Sequence, residues 1–405
     1  NINPMKILSE KCKQYDIPQQ AMAAGIYPYF RAIESGQDTE VTINGKKVLM
    51  FGSNSYLGLS NHPKIKEAAI KAIEKYGTSC SGSRFLNGTL DIHLELEEKL
   101  AKLVGKDEAV CFSTGFQANL GTISALCGRN EYLLLDSQDH ASIIEGSRLS
   151  FARILKFAHN DMSSLESKLM LCEPDKNKLI VVDGIFSMEG DIVNLPEIVR
   201  LKEKYNASLM VDDAHAIGVI GQNGRGTSSH FNLTQDVDLI MGTFSKSLAS
   251  VGGFIAGDKE VINFLKHNAR ALIFSASMPP ASVASVSAAI DIMLNEPERM
   301  KHLWNLTKYA QQAFISANID TGKSKTPIIP LYVRDDMKVL KLARILLDEG
   351  IFVNPVVSPA VSKEDALIRF SLMATHSYEQ LDEAIEKINR AFKELNVAPC
   401  FQSIE

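Results

Sequence analysis

The chain has 405 residues, 45% of them hydrophobic and 22% charged, which is ordinary globular composition and long enough for two domains. A formal net charge of -5 excludes the basic stripe of a nucleic-acid surface, and no apolar run approaches the roughly 18 residues of a membrane span. The six cysteines show neither CxxC spacing nor a paired framework, so they read as reduced thiols of a cytoplasmic protein.

Asn1 to Pro4, with no initiator Met, read as a remnant outside the native chain, and Asn1 to Gln20 mix polar and charged groups unlike a signal peptide. Residues 1–60 form an irregular N-terminal segment with a hairpin-like unit around Thr42 to Val48. Residues 61–290 form a large domain in which helices and short apolar runs alternate. His62 to Tyr76 and Asp91 to Val104 place apolar residues at helical spacing. The runs Tyr132 to Asp136, Leu179 to Asp183, Leu209 to Asp212 and Leu239 to Met241 fit strands buried on both faces, hence a mostly parallel sheet between helical layers. Residues 291–405 form a smaller α+β domain, with helices Met300 to Ser316, Met337 to Glu349 and Tyr378 to Leu395 around strands Ile328 to Val333, Phe352 to Val357 and Leu367 to Leu372.

Several strand ends carry chemistry, and strand C-termini are where α/β sheets build sites. Lys246 lies in a small, hydroxyl-rich loop with Thr243 and Ser245, after an apolar strand, and is well placed to form a Schiff base. Asp212 ends an earlier strand and would suit a protonated pyridine nitrogen. With Asp213 and His215 it would equally suit a metal or a helix cap. Ser113, Thr114, Gly115 and Phe116 open a helix whose N–H groups would hold phosphate, or they form a plain cap. His140 follows the strand ending in Asp136 and would lie against a cofactor ring. Asp183 and Ser187 flank a tight polar turn. Arg369 sits inside an apolar strand and needs an anion, either a substrate carboxylate or a buried Asp or Glu.

Together these segments resemble the α-oxoamine synthases, acyltransferases that use pyridoxal 5'-phosphate (PLP) on the aminotransferase fold type I. The resemblance runs from about Gly25 to Lys393. It is carried by Leu49 to Leu59, Gly82 to Thr89, Gly242 to Ser250 and Asn354 to Ala360, and is strongest toward the soluble bacterial serine palmitoyltransferases. 8-Amino-7-oxononanoate synthases and aminoketobutyrate ligases usually carry Gly-Lys-Ala where this chain has Ser245-Lys246-Ser247.

The resemblance implies a large PLP-binding α/β domain with a smaller α+β domain. Lys246 would hold the cofactor and act as acid and base at the substrate Cα. Asp212 would pair with the ring nitrogen, His215 with the ring phenolic oxygen, and His140 would stack on the ring. Ser113, Thr114, Gly115, Phe116, Thr243 and Ser245 would surround the phosphate, with Asp183 and Ser187 nearby and Ser275 and Ser277 reaching in from the partner of a homodimer. Arg369 would bind the amino-acid carboxylate, and Asn54, Ser79, Ser81 and Ser83 would line the substrate site. No metal is implied. The implied reaction is decarboxylating condensation of L-serine with a long-chain acyl thioester, from coenzyme A or acyl carrier protein, to a 3-keto sphingoid base. Membrane contact would be peripheral at most. The hydroxyls of Ser79 and Ser81 stand where serine-using relatives are expected to carry Gly or Ala, which keeps cysteate, and sulfonolipid synthesis, as the alternative.

Overall fold

The chain path is described for residues 7–397 of a computed structural model, so Asn1 to Pro4 and Cys400 lie outside the described residues. It opens with two short helices and then a hairpin, β1 (Glu40–Ile43) and β2 (Lys46–Met50). Asn44 and Gly45 at its tip both take positive φ (49° and 70°), the twist that lets a two-residue turn join antiparallel strands. Seven strands follow: β3 (Glu108–Phe112), β4 (Tyr132–Asp136), β5 (Arg153–Phe157), β6 (Lys178–Asp183), β7 (Ser208–Asp212), β8 (Leu239–Thr243) and β9 (Gly253–Gly257). They form one sheet in the order β3-β9-β8-β7-β6-β4-β5. Only β9 runs against its neighbours, so the sheet is mostly parallel, as the continuous apolar runs predict.

The alternation of side chains shows why the sheet needs helices on both faces. Leu134, Ile180, Val182, Leu209, Val211 and Ile240 enter one core. Their neighbours Leu133, Leu179, Val181, Met210, Leu239 and Met241 enter the other. The second core is closed by the helix Gly115–Leu126, and the first by helices including Asp91–Val104 and Pro280–Asn295. The C-terminal edge of β4, β6, β7 and β8 is thereby left as an open ledge where Asp136, Asp183, Asp212 and the Lys246 loop emerge.

The C-terminal part adds β10 (Ile328–Tyr332), β11 (Ile351–Phe352), β12 (Asn354–Val356) and β13 (Leu367–Ser371). β10, β13 and β12 form an antiparallel sheet covered by helices Glu298–Ser316, Asp336–Asp348 and Tyr378–Glu394. The single strand expected over Phe352 to Val357 is two. Ile351 and Phe352 pair with β2, whereas Asn354 to Val356 pair with β13. Pro355 has no N–H to extend a ladder, so the chain changes sheets beside it. Leu49, Phe51 and Tyr56 pack in the C-terminal core with Leu303, Ile368 and Phe370, so the N-terminal segment is part of that core. Among the described residues no helix is long and apolar enough to cross a membrane.

Candidate active site

Two cavities meet at the C-terminal ledge of the large sheet, one of about 330 Å³ and a wider one of about 620 Å³. His140, His215 and Lys246 line both. Thr114, Gly115, Phe116, Asp183, Asp212, Thr243 and Ser245 line the smaller, while Asn54, Ser187 and Arg369 line the wider.

Asp212 ends β7 almost fully buried, and its carboxylate is aimed by two donors. Asn119 Nδ2 donates to Oδ2 at 2.7 Å and Ala214 N to Oδ1 at 2.9 Å. The Asn119 amide also donates to Ser142 Oγ at 2.8 Å, and Ser142 Oγ lies 2.7 Å from His140 Nδ1. A continuous hydrogen-bonded chain thus runs from Asp212 to His140. The His140 backbone N–H donates to Asp183 Oδ2 at 2.8 Å, which sets where the ring leaves the helix Ala141–Leu149. Burial lowers the His140 pKa, so the ring facing the cavity is neutral and aromatic. Burial, and then Asp212, push Asp183 well above the usual carboxylate range.

Among the described residues Lys246 Nζ has no hydrogen-bond acceptor. Burial lowers its pKa to about 8, against the opposing pull of Asp212 and Asp183. A lysine in that state is a ready nucleophile toward a carbonyl. His215 is buried and its pKa lies well below the ordinary value, first through burial and then through Lys246, Arg369 and His140. Tyr56 Oη accepts from Arg369 Nη2 at 3.3 Å, and its own hydrogen has two acceptors, Asn54 Oδ1 at 3.3 Å and His215 Nδ1 at 2.7 Å, of which the much shorter contact to His215 is the one it makes. That pattern assigns the tautomer: Nε2 carries the proton and is the nitrogen left to address the cavity.

Arg369, in β13, is 5% exposed. Its partners are Ser187 O at 2.6 Å, Ser371 Oγ at 2.7 Å and Tyr56 Oη, all neutral oxygens. Among the described residues it pairs with no Asp or Glu, so of the two sequence readings the buried ion pair is not the one formed. A buried guanidinium without a counter-charge at the wall of a cavity has the chemistry to take up an anion.

One wall of the smaller cavity is the start of the helix Gly115–Leu126. Thr114 caps it through Gln117 N at 3.1 Å, leaving the first N–H groups free. A Cβ at Gly115 would lie 2.7 Å from Thr243 Oγ1, so only glycine lets the helix start approach β8. Thr243 Oγ1 and Ser245 Oγ lie 3.1 Å apart.

Other expected residues lie elsewhere. Ser113 donates its hydroxyl to Ala276 O and lines neither cavity. Ser275 accepts from Gln117 Nε2 at 3.0 Å, and Ser277 Oγ is buried without a partner. Within one chain neither lines a cavity. Ser79 and Ser81 are exposed on a loop outside both cavities, and Ser83 is buried with its hydroxyl unpartnered. The reason is local: Ser277 N donates to Gly82 O at 2.9 Å and Ser83 bridges Ala276, so the loop is pinned to residues 275–277. Within one chain the hydroxyls on which the cysteate alternative rested therefore lie outside the cavity that Arg369 lines. Asp213 turns to Thr227 N at 2.9 Å, away from His215, so the Asp-Asp-x-His group does not converge on a metal.

Tyr56, Asn119 and Ser142 were not singled out in the sequence. Asn119 carries a readable signal, an amide among Ala118, Leu120 and Ile123 on an apolar helix. Tyr56, between Ser55 and Leu57, looks like any core aromatic.

A nucleophilic amine, a fixed carboxylate, a neutral imidazole donor and a helix start with free N–H groups suit a ligand bearing a carbonyl, a basic ring nitrogen, an oxyanion and a phosphate. The chain belongs to the aminotransferase class I and II family, whose description matches residues 46–388. It is 60% identical to the serine palmitoyltransferase of Sphingobacterium spiritivorum over 96% of this chain and 98% of that one. Two solved structures superpose with a TM-score of 0.94. One is the Sphingomonas wittichii serine palmitoyltransferase, 34% identical, covering 98% of this chain and all of that one. The other is an SPT structure with PLP, 32% identical, covering 97% and 100%.

Proposed function

We propose that the protein is a PLP-dependent C-acyltransferase that condenses L-serine with a long-chain acyl thioester, releasing CO2 and the carrier thiol, to give a 3-keto sphingoid base. The observation that carries the amino-acid half is Arg369, a buried guanidinium whose partners are neutral and whose cavity it shares with Lys246. The similarity to serine palmitoyltransferases supports serine as the amino acid.

Bound in the smaller cavity, PLP supplies an electron sink for loss of the Cα proton and of CO2. The chain's residues do the rest. Lys246 holds the cofactor, then takes and returns the proton at Cα. Asp212, aimed by Asn119, keeps the ring nitrogen protonated. His215 would donate from Nε2 to the cofactor's phenolic oxygen, and His140 would pack against its ring. Thr114, Gly115, Phe116, Thr243 and Ser245 surround the phosphate. Arg369 would grip the substrate carboxylate and so orient the amino acid beside Lys246. Phe352, Val356 and Val357 give the wider cavity an apolar wall for the acyl chain.

The working unit is a homodimer. Phe85, Leu86, Phe116 and Phe274 expose large apolar area around the smaller cavity, next to Ser275 and Ser277. A second copy seated there covers that area and brings those hydroxyls to the neighbouring site. The enzyme works in the cytoplasm with peripheral membrane contact at most, taking its acyl group from coenzyme A or acyl carrier protein.

The test is a spectral titration of the purified PLP-loaded protein with L-serine, L-cysteate, L-alanine and glycine, followed by product analysis with palmitoyl-CoA. Saturable response to serine and formation of the keto base are expected. Preference for cysteate would overturn the substrate assignment, and absence of a lysine-bound cofactor band would overturn the cofactor.

A further inference from the structure

The turn that carries Ser187 is gripped from two sides. On one side the Ser187 carbonyl accepts Arg369 Nε at 2.6 Å. On the other stands His159, just after β5. Its Nδ1 lies 2.9 Å from Asp136 Oδ1 and its Nε2 3.1 Å from Asp191 Oδ2, with Glu189 Oε2 at 3.8 Å. Each ring nitrogen faces a carboxylate, which only accepts, so both nitrogens carry protons and the ring is an imidazolium. Burial works against that charge, yet the hydrogen bonds to Asp136 and Asp191 push the His159 pKa up to about 10. His159, Glu189 and Asp191 lie close enough together to hold a metal ion, and with none bound both ring nitrogens donate to carboxylates.

The turn between the two grips has little freedom. Phe186 N donates to Asp191 O at 3.1 Å and Gly190 N to Phe186 O at 2.9 Å. The Phe186 ring meets the His159 ring edge-on at 4.4 Å. Gly190 takes φ 68°, and a Cβ there would lie 2.2 Å from Ile328 O, so the turn is wedged against β10. Asn160 extends the attachment: its Oδ1 accepts from Asn194 N at 2.9 Å and its backbone N–H donates to Asp136 Oδ2 at 2.7 Å. The turn is thereby tied to β4 at one end and leans on the C-terminal sheet at the other. Its Ser187 carbonyl is one of three oxygens that fix the plane of Arg369. With those three N–H groups engaged, the remaining pair on the guanidinium is left for a carboxylate.

We propose that His159 is a positioning residue for the amino-acid substrate: its bridge from Asp136 to Asp191 holds the 186–191 turn, and through the Ser187 carbonyl that turn aims Arg369. This rests on Arg369 as the carboxylate anchor. His159 touches no reacting atom, and its effect belongs to amino-acid binding rather than to cofactor binding or acyl transfer.

The test is a double-mutant cycle on the PLP-loaded enzyme, reading the dissociation constant of L-serine from the cofactor absorbance. His159→Gln loses the charge and one of the two bridging donors. It is expected to weaken serine about tenfold while leaving the resting cofactor spectrum and the KM for palmitoyl-CoA within about twofold. In an Arg369→Lys background, which loses the Nε–H that the Ser187 carbonyl orients, the same substitution is expected to change serine binding by less than about twofold. A serine constant unchanged in His159→Gln while Arg369→Lys weakens it would overturn the proposal, as would a full tenfold effect persisting in the Arg369→Lys background. No effect of Arg369→Lys itself would overturn the anchor reading instead, and the proposal with it. Should His159→Gln fail to fold, Asp191→Asn weakens the bridge from the turn side and is judged by the same numbers.

Discussion

Tyr56→Phe removes one oxygen and tests the electrostatic layout of the site. The hydroxyl is completely buried, donates to His215 Nδ1 at 2.7 Å in preference to Asn54 Oδ1 at 3.3 Å, and accepts from Arg369 Nη2 at 3.3 Å. An unsatisfied buried polar group costs about 1–3 kcal/mol. The arginine end of the bridge is long, and a bound carboxylate can take up that N–H, so its share lies at the low end. The histidine end is short and buried, and has no second donor within reach. Without it Nδ1 competes with Nε2 for the single proton, and part of the enzyme holds the tautomer that presents a lone pair to the ring oxygen. A loss of about 1.5 kcal/mol corresponds to roughly a tenfold fall in kcat. The expected result is a kcat about tenfold lower, a shifted cofactor band, and a serine dissociation constant raised no more than about threefold. These are measured by steady-state assay and by spectral titration of the same preparation. A kcat within twofold of the parent together with an unshifted band would refute the tautomer assignment.

Lys246→Ala is expected to abolish the lysine-bound cofactor band and to lower turnover by at least about a thousandfold; retained activity would remove Lys246 from the chemistry. In the cofactor-free protein Lys246 titrates near 8, and only the free amine captures an aldehyde, so the rate of PLP capture should rise with pH through about 8 and level off above it. A rate still climbing toward 10 would mean an ordinary surface lysine. Asn119→Ala withdraws the 2.7 Å donor from Asp212 and should weaken PLP binding about tenfold, measured by equilibrium dialysis, with wild-type affinity counting against the Asp212 assignment. His376 accepts from Met373 N at 2.9 Å, lies 3.1 Å from Met50 O, and is lowered by burial to about 4. Its unfolded form binds protons first, so the stability tied to its neutral form is whole above about 6.5 and is lost as pH falls toward 4. His376→Asn should flatten that acid limb of a Tm-against-pH curve, and an unchanged limb would assign it to other groups.

Burial decides which parts of this architecture were legible. Tyr132 to Asp136 and Leu179 to Asp183 announce themselves because both faces of the sheet are covered, which forces unbroken apolar runs. β5 does not, because it is the sheet edge: Arg153 and Lys156 are solvent-facing and dilute the pattern. β9 is bounded by Gly253 and Gly257, where a Cβ would strike Gly115 Cα at 2.6 Å and Leu239 Cδ2 at 2.7 Å, so close packing removed the side chains that would have marked it. The same division runs through the site. A charge in an apolar strand must be compensated, so Arg369 stood out, as did Lys246 among small hydroxyl residues. Whether the partner of Arg369 was a protein carboxylate or a ligand was undecidable until its three neutral contacts were seen. Ser79 and Ser81 could not be placed from sequence because a hydroxyl count carries no direction, and one backbone bond from Ser277 to Gly82 holds that loop against residues 275–277. Ser187 acts on Arg369 through its carbonyl, which every residue has. No side-chain pattern can report it, and the histidine bracing that carbonyl from the far side is equally silent in a linear reading. On the proposed role of Arg369, substrate geometry in this fold depends partly on backbone atoms. Substitutions that leave every cavity-lining side chain intact, at His159 or Asp191, are expected to alter how the amino acid is held.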